Sequence, residues 1–151
     1  MTFAARSCGE PVGRDSSSTG FDVSGALSAA LALARGTVDR CEAIILAGSH
    51  SSGEGVWASL AGRTVSLSDL DVYVVLADAG AMRAASARAR SELDRLREPL
   101  AALGFVAPLE MGFLTRAGLT LMPAKPGVIE LRRHGRVVEG DPAVLGLVPA
   151  W

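Results

Sequence analysis

A chain of 151 residues, 49% of them hydrophobic, is long enough for one ordinary domain with its own core. Charged residues make up 21% and the formal net charge is −1, so no global field draws the chain to nucleic acid or to an anionic membrane. Its longest apolar stretches fall far short of the roughly 20 residues that span a bilayer, and the two cysteines, Cys8 and Cys41, make neither a disulfide framework nor a zinc spacing.

Residues 1–20 are rich in Gly, Ser and Arg, lack periodicity, and contain no apolar h-region of a secretory signal; they predict a flexible leader, and the expected compartment is the cytoplasm. "FDVSGALSAALALARGTVDR" then predicts a helix, capped by Asp22 or Ser24, with Leu27, Leu31 and Ala34 at helical spacing and Gly36 as its stop. "CEAIILAG" predicts a buried strand ending at Gly48. Residues 49–66 are polar and glycine-containing, with Trp57 and Leu60 as large apolar anchors and a short helical turn expected around 56–61.

"LSDLDVYVVLAD" predicts a second strand that puts Asp69, Asp71, Tyr73 and Val75 on one face and Leu70, Val72, Val74 and Leu76 on the other. "AGAMRAASARARSELDRLREPLAAL" is a long amphipathic helix with an apolar stripe of Leu93, Leu96, Leu100 and Leu103, a kink at Pro99 and a stop at Gly104. "FVAPLEMGFLT" predicts a third strand, and "GLTLM" and "GVIELRR" two more short ones joined by Pro/Gly turns. The domain is expected over residues 21–142. Residues 143–151 are left as an apolar, patternless tail, which predicts an interface with a second copy or a protein partner, or the start of a further element. The fold class is therefore α/β (α+β), a mixed β-sheet flanked by helices. Neither G-x-G-x-x-G nor G-x-x-x-x-G-K-[ST] follows a strand, so dinucleotide and P-loop readings have no support.

Two aspartates at i and i+2 on a strand point the same way, about 7 Å apart along the backbone. Asp69 and Asp71 can therefore converge on a hard cation such as magnesium, which takes carboxylate, phosphate and water oxygens. The competing reading is a turn-capping Asp69 and a solvated Asp71. Gly48 at the preceding strand end allows close backbone approach of a ligand, and Ser49 adds a hydroxyl and an amide suited to phosphate oxygens. A two-metal displacement also needs a further ligand or a base for the attacking hydroxyl. Glu110, on the strand after the long helix, is favoured for that role over Glu130 in "VIELRR", because adjacent elements usually neighbour in space. His50 beside the phosphate loop reads more readily as a solvated loop histidine than as a phosphate donor, and His134 as part of a charged hairpin.

"LAGS" followed by "SDLDVYVV", then a helix and a strand bearing an acid, resembles the nucleotidyltransferase superfamily that includes DNA polymerase beta and the aminoglycoside nucleotidyltransferases. Ala47, Gly48, Ser49, Asp69, Leu70, Asp71 and Val72 match its signature, "ELRRHGRVVEGDP" is a softer match, and the likeness covers roughly residues 22–142. The spacer between Ser49 and Asp69 is longer than usual, which implies an insertion around "GEGVWASLAGRT". Ser51-Ser52 stand where small bacterial members often carry an arginine, leaving Arg63, or Arg132, Arg133 and Arg136, to supply a phosphate-contacting cation. The resemblance implies transfer of a nucleoside monophosphate from an NTP, with Mg2+ held by Asp69, Asp71 and Glu110. The acceptor would be a hydroxyl on an aminoglycoside-like sugar or a protein side chain. Its alternatives are an antitoxin or regulatory protein acting through a partner, a sugar transferase using the D-x-D pair with a nucleotide sugar, and an inactive nucleotide-binding module.

Overall fold

The computed structural model describes residues 22–150; the leader expected over 1–20 lies outside the described residues. The chain begins with α1 (Val23–Gly36), whose N-terminus is capped by the Asp22 carboxylate accepting from the Gly25 amide at 2.9 Å. Its most deeply buried positions are Ala26, Ala30 and Ala34, while Leu27 and Leu31 pack beside them. The small residues face the sheet, and the helix is rolled relative to the leucine stripe expected from its sequence.

β1 (Ala43–Ala47) is buried along its whole length, which explains its unbroken apolar run. α2 (Gly48–Ser52) is a single turn, and it is followed by a hairpin of β2 (Trp57–Leu60) and β3 (Arg63–Ser66). The helical turn expected at 56–61 is thus replaced by strands. Ala61 and Gly62 both take positive φ, 50° and 77°, as a tight two-residue hairpin turn requires, but Ala61 lacks the Asn or Asp that usually announces one. β4 (Leu70–Leu76) then leads through α3 (Ala79–Ala102), capped by Asp78 and continuous through Pro99, to β5 (Leu109–Thr115).

The two short strands expected next are helices. α4 (Arg116–Thr120) starts where the Thr115 hydroxyl accepts from the Gly118 amide, and α5 (Pro126–His134) starts on a proline that needs no amide partner there. In "GVIELRR" the adjacent Val128 and Ile129 suggest a strand, but Val128 and Leu131, three apart, are the two buried residues, which is a helical face. β6 (Arg136–Gly140) and a 3-10 helix (Pro142–Leu147) complete the described chain.

The main sheet runs β5-β4-β1-β6, with β4 and β5 parallel and the other pairs antiparallel. Packed on one face are α1 and α3, around Ile44, Leu46, Leu70, Val72 and Val74. On the other lie α4, α5 and the 3-10 helix, around Ala43, Ile45, Val75 and Leu119. This is the mixed sheet flanked by helices that the sequence predicts. No helix among the described residues is long and apolar enough to cross a membrane.

The tail departs from expectation. Val144 and Val148 are 0% and 1% exposed and belong to the second core, so these two apolar residues of the tail are covered by the chain itself, while Trp151 lies outside the described residues. Its lack of pattern reflects a short 3-10 helix, whose spacing matches neither an α-helix nor a strand. Val144→Ala should therefore destabilise the domain by about 1–3 kcal/mol, whereas Val138→Ala, on an exposed position, should stay within about 0.5 kcal/mol. Urea denaturation of both variants distinguishes a core tail from an interface tail, because the latter predicts little effect from either.

Candidate functional site

The site forms where the sheet's register brings three strands level. Asp71 on β4 stands opposite Ala47, the last residue of β1, and on its other side opposite Glu110 of β5. Alternation along β4 then places Asp71 and Tyr73 on the face of the second core, with Leu70, Val72 and Val74 turned to the first. Asp69 precedes the strand and is exposed. The strand of Asp71 pairs with that of Glu110 as expected, while Asp69, expected on the same strand, lies ahead of the paired stretch.

Gly48 meets Asp71 directly. Its φ is +64°, and a Cβ built there would run into Asp71 Oδ2. The glycine thus serves an intramolecular need before any ligand arrives: it turns the chain out of β1 and leaves room for the carboxylate. Beyond it the turn is fastened locally. Ser51 Oγ donates to the Gly48 carbonyl at 2.7 Å, Ser52 Oγ to the Ser49 carbonyl at 3.2 Å, and the Glu54 amide to the same Ser49 carbonyl at 2.8 Å.

Burial pushes the Asp71 carboxyl above its ordinary value, the Asp69 charge adds to this, and His50 opposes it. The Tyr73 hydroxyl is likewise pushed up, first by burial and then by the charges of Asp71 and Glu110. A cavity of about 180 Å³ opens beside these groups, lined by Asp71, Val72, Tyr73, Glu110, Met111 and Gly112. Among the described residues, no hydrogen-bond donor or cationic side chain pairs with the carboxylates of Asp69, Asp71 or Glu110. Nor do any three His, Cys, Asp or Glu side chains among them stand close enough together to hold a metal ion. The oxygen donors suit a hard cation, and Asp69 and Asp71 interact, but Glu110 joins them through strand register and not as a closed three-carboxylate cage.

The other residues expected at the site lie elsewhere. Arg63, expected at the phosphates, points its guanidinium to the carbonyls of Ala101 and Ala102 at the end of α3. Arg132, the other expected phosphate contact, donates to the Leu145 carbonyl at 2.5 Å and ties α5 to the 3-10 helix. Arg136 faces α1 in a groove with Arg35 and Glu139. Their engagement follows from helix ends and a tail that the sequence did not reveal. Glu130, expected on a short strand, is exposed on α5, 3.8 Å from His134, and lies off the sheet that carries β4. The space beside Gly112 is taken by the Tyr73 ring, which a Cβ there would meet at 2.6 Å. His50, expected to be solvated, is 7% exposed and lies among Trp57 and Phe105.

No family model and no curated protein matches the chain. Among solved structures it is similar to a chain from a crystal structure of a toxin–antitoxin with AMP-PNP, at 16% identity and a TM-score of 0.45, over 80% of this chain and 78% of that one.

The apposition of Gly48 and Asp71 can be tested from either side. In metal-free buffer Asp71→Asn should be more stable than the wild type at neutral pH, because the raised carboxyl is ionised there against burial and the Asp69 charge. That margin should shrink as pH falls through the raised value toward the ordinary 3.8, where the native carboxyl takes up its proton. A margin independent of pH would sink the assignment. Gly48→Ala should cost more than the roughly 1–2 kcal/mol of a left-handed backbone, and the excess should vanish in an Asp71→Ala background, as a double-mutant cycle by denaturation would record.

Proposed function

We propose that this domain is a magnesium-dependent nucleotidyltransferase that moves a nucleoside monophosphate from an NTP to a hydroxyl acceptor. The observation that carries the reading is the Asp71 carboxylate, which lies against the Gly48 backbone on one side and stands level with Glu110 on the other. A triphosphate laid along Gly48 and Ser49 would therefore present its α-phosphorus next to the acids. The partly buried Asp71 and its repelling neighbour Asp69 are oxygen donors that form no salt bridge with a described residue, which suits a magnesium site. When bound there, the metal would neutralise charge on the triphosphate and on the departing pyrophosphate.

The remaining work falls to the chain. Gly48 and Ser49 orient the triphosphate by backbone amides and the Ser49 hydroxyl, with the reacting centre held for in-line attack. The acceptor oxygen forms a bond to the α-phosphorus as the bridging bond to the β-phosphate breaks, releasing pyrophosphate. Glu110, exposed at the edge of the cavity, takes the proton of the acceptor hydroxyl. Tyr73 forms the wall of that cavity and limits how deeply an acceptor enters.

Incubation with each NTP, magnesium and a panel of hydroxylated acceptors should release pyrophosphate. Asp69→Asn and Asp71→Asn should abolish it with the fold retained. Glu110→Gln should lower turnover by about two or more orders of magnitude with NTP binding similar to wild type, the usual scale for loss of a general base. Glu130→Gln should remain near wild type, since a solvent-exposed pair contributes little. Full turnover by either aspartate variant, or equal losses at the two glutamates, would move the site.

A further inference from the structure

The geometry points to His50 as a positioning residue that couples the Gly48–Ser52 turn to the segment carrying Asp69, through the inserted hairpin. The inference deepens the nucleotidyltransferase reading and rests on it for its catalytic consequence.

His50 follows Ser49 directly, yet its side chain leaves the site face and enters the first core. There it packs edge-on against Trp57 and Phe105, with ring centroids 5.7 and 5.6 Å away, and these two rings meet each other at 5.3 Å. Gly55 passes so close that a Cβ on it would stand 2.5 Å from His50 Nδ1. On the other side of the ring, Nε2 lies 3.0 Å from Ser66 Oγ and 3.3 Å from the Ser68 carbonyl. A carbonyl only accepts, so the proton sits on Nε2, which donates to both; the Ser66 hydroxyl accepts from it and donates to the Ser68 carbonyl at 3.1 Å. Ser66 is 0% exposed, and its bond to His50 is buried.

The placement matters because of what each end holds. A helix of one turn is not stable alone, and the serine bonds of α2 stay within the turn. His50 is the residue whose hydrogen bonds carry the turn across to residues 66–68, immediately ahead of Asp69. That stretch is itself pinned: the Ser66 amide donates to the Gly104 carbonyl at 2.7 Å and the Leu67 amide to the Val56 carbonyl at 2.8 Å. The Ser68 hydroxyl in turn accepts from the Val56 amide at 2.9 Å. The hairpin therefore acts as a strut. It lengthens the spacer between Ser49 and Asp69 in sequence while His50 fixes their separation in space, and a misplacement of about 1 Å at a reacting centre can cost on the order of a hundredfold in rate.

The test compares His50→Phe, His50→Gln and His50→Asn in the full chain. Phe keeps a ring against Trp57 and Phe105 but has no donor. The Gln amide reaches the place of Nε2, whereas that of Asn reaches only the place of Nδ1. Without any ligand, amide hydrogen exchange at 48–52 and at 66–71 should quicken together in His50→Phe, by about tenfold or more for a lost buried bond, and Gln should restore both. If Phe fails to fold, the Gln and Asn variants carry the comparison, with Asn resembling the loss. Exchange that quickens at one segment alone, uniformly over the domain, or not at all overturns the coupling. In turnover with magnesium and NTP, kcat/KM should fall by about 10–100-fold in His50→Phe and recover within a few fold in His50→Gln. A variant that melts earlier but turns over normally per folded molecule assigns His50 to packing and overturns the proposal. Absence of turnover by the wild type with every NTP removes the nucleotidyltransferase reading instead, and the exchange result then decides the mechanical coupling separately.

Discussion

The contact between the Gly48 backbone and the Asp71 carboxylate constrains everything around it. β1 must end where it does, because a side chain at position 48 would enter the space of Oδ2. The antiparallel register of β1 and β4 sets Ala47 opposite Asp71, and the parallel register of β4 and β5 sets Glu110 opposite Asp71. A slip of one residue in either pairing would turn Asp71 into the apolar layer under α1 and α3 and would bring Leu70 or Val72 out. The burial of Leu70, Val72 and Val74 at 0–1% exposure therefore protects the position of the acid as much as it stabilises the fold. Hydrophobic patterning on one face of β4 and chemistry on the other are one constraint.

The cost of this arrangement is electrostatic. Asp71 is drawn partly out of water beside Asp69, and both effects raise its carboxyl. Elsewhere the molecule pairs its charges freely. Arg116 bridges Glu42 and Asp141 at the opposite end of β1, and that pairing holds Asp141 below its ordinary value. The same sheet thus carries a compensated end, where β1, β5 and β6 are clamped, and an end where, among the described residues, the carboxylates of Asp69, Asp71 and Glu110 form no salt bridge. Acids without a salt-bridge partner among the described residues are where a bound cation would contribute most.

What could be read from the sequence divides along physical lines. β1, β4, α3 and β5 were legible because their signals are local and strong: an unbroken apolar run in an interior strand, strict alternation on β4, and long helical periodicity on α3. Asp71 could be placed on the face opposite Leu70 and Val72 by period-2 arithmetic, and Glu110 on a neighbouring strand by the order of elements, whereas Asp69 falls just before the strand, where that arithmetic does not reach. The short elements were not legible. α4 and α5 carry β-branched or apolar residues that resemble strands, and only their caps, Thr115 and Pro126, signal helix. The hairpin turn hides behind Ala61 in a left-handed conformation. Arg63 and Arg132 were assigned to phosphate because the site wants a cation; their actual partners are backbone carbonyls at the end of α3 and in the 3-10 helix, elements whose ends the sequence does not mark. Nothing local to "GSHSS" tells that His50 is buried, since its partners are 16 and 18 residues away.

The burial of His50 shows how the long connection between Ser49 and Asp69 keeps a defined shape. A longer spacer should loosen the relation between the turn at Gly48 and the acids, because closing a flexible loop costs more as it lengthens. Here the intervening residues are not a flexible loop. They pair as β2 and β3, attach to the chain after α3 through Ser66 and Gly104, and enclose His50, the buried side chain of the turn. The turn is then held from two directions at once. On the site face the Asp71 carboxylate fills the room a side chain at Gly48 would need, and behind it His50 is gripped by Ser66, Ser68, Trp57 and Phe105. Backbone amides held rigidly on both sides are preorganised for a ligand whose binding would otherwise have to order them.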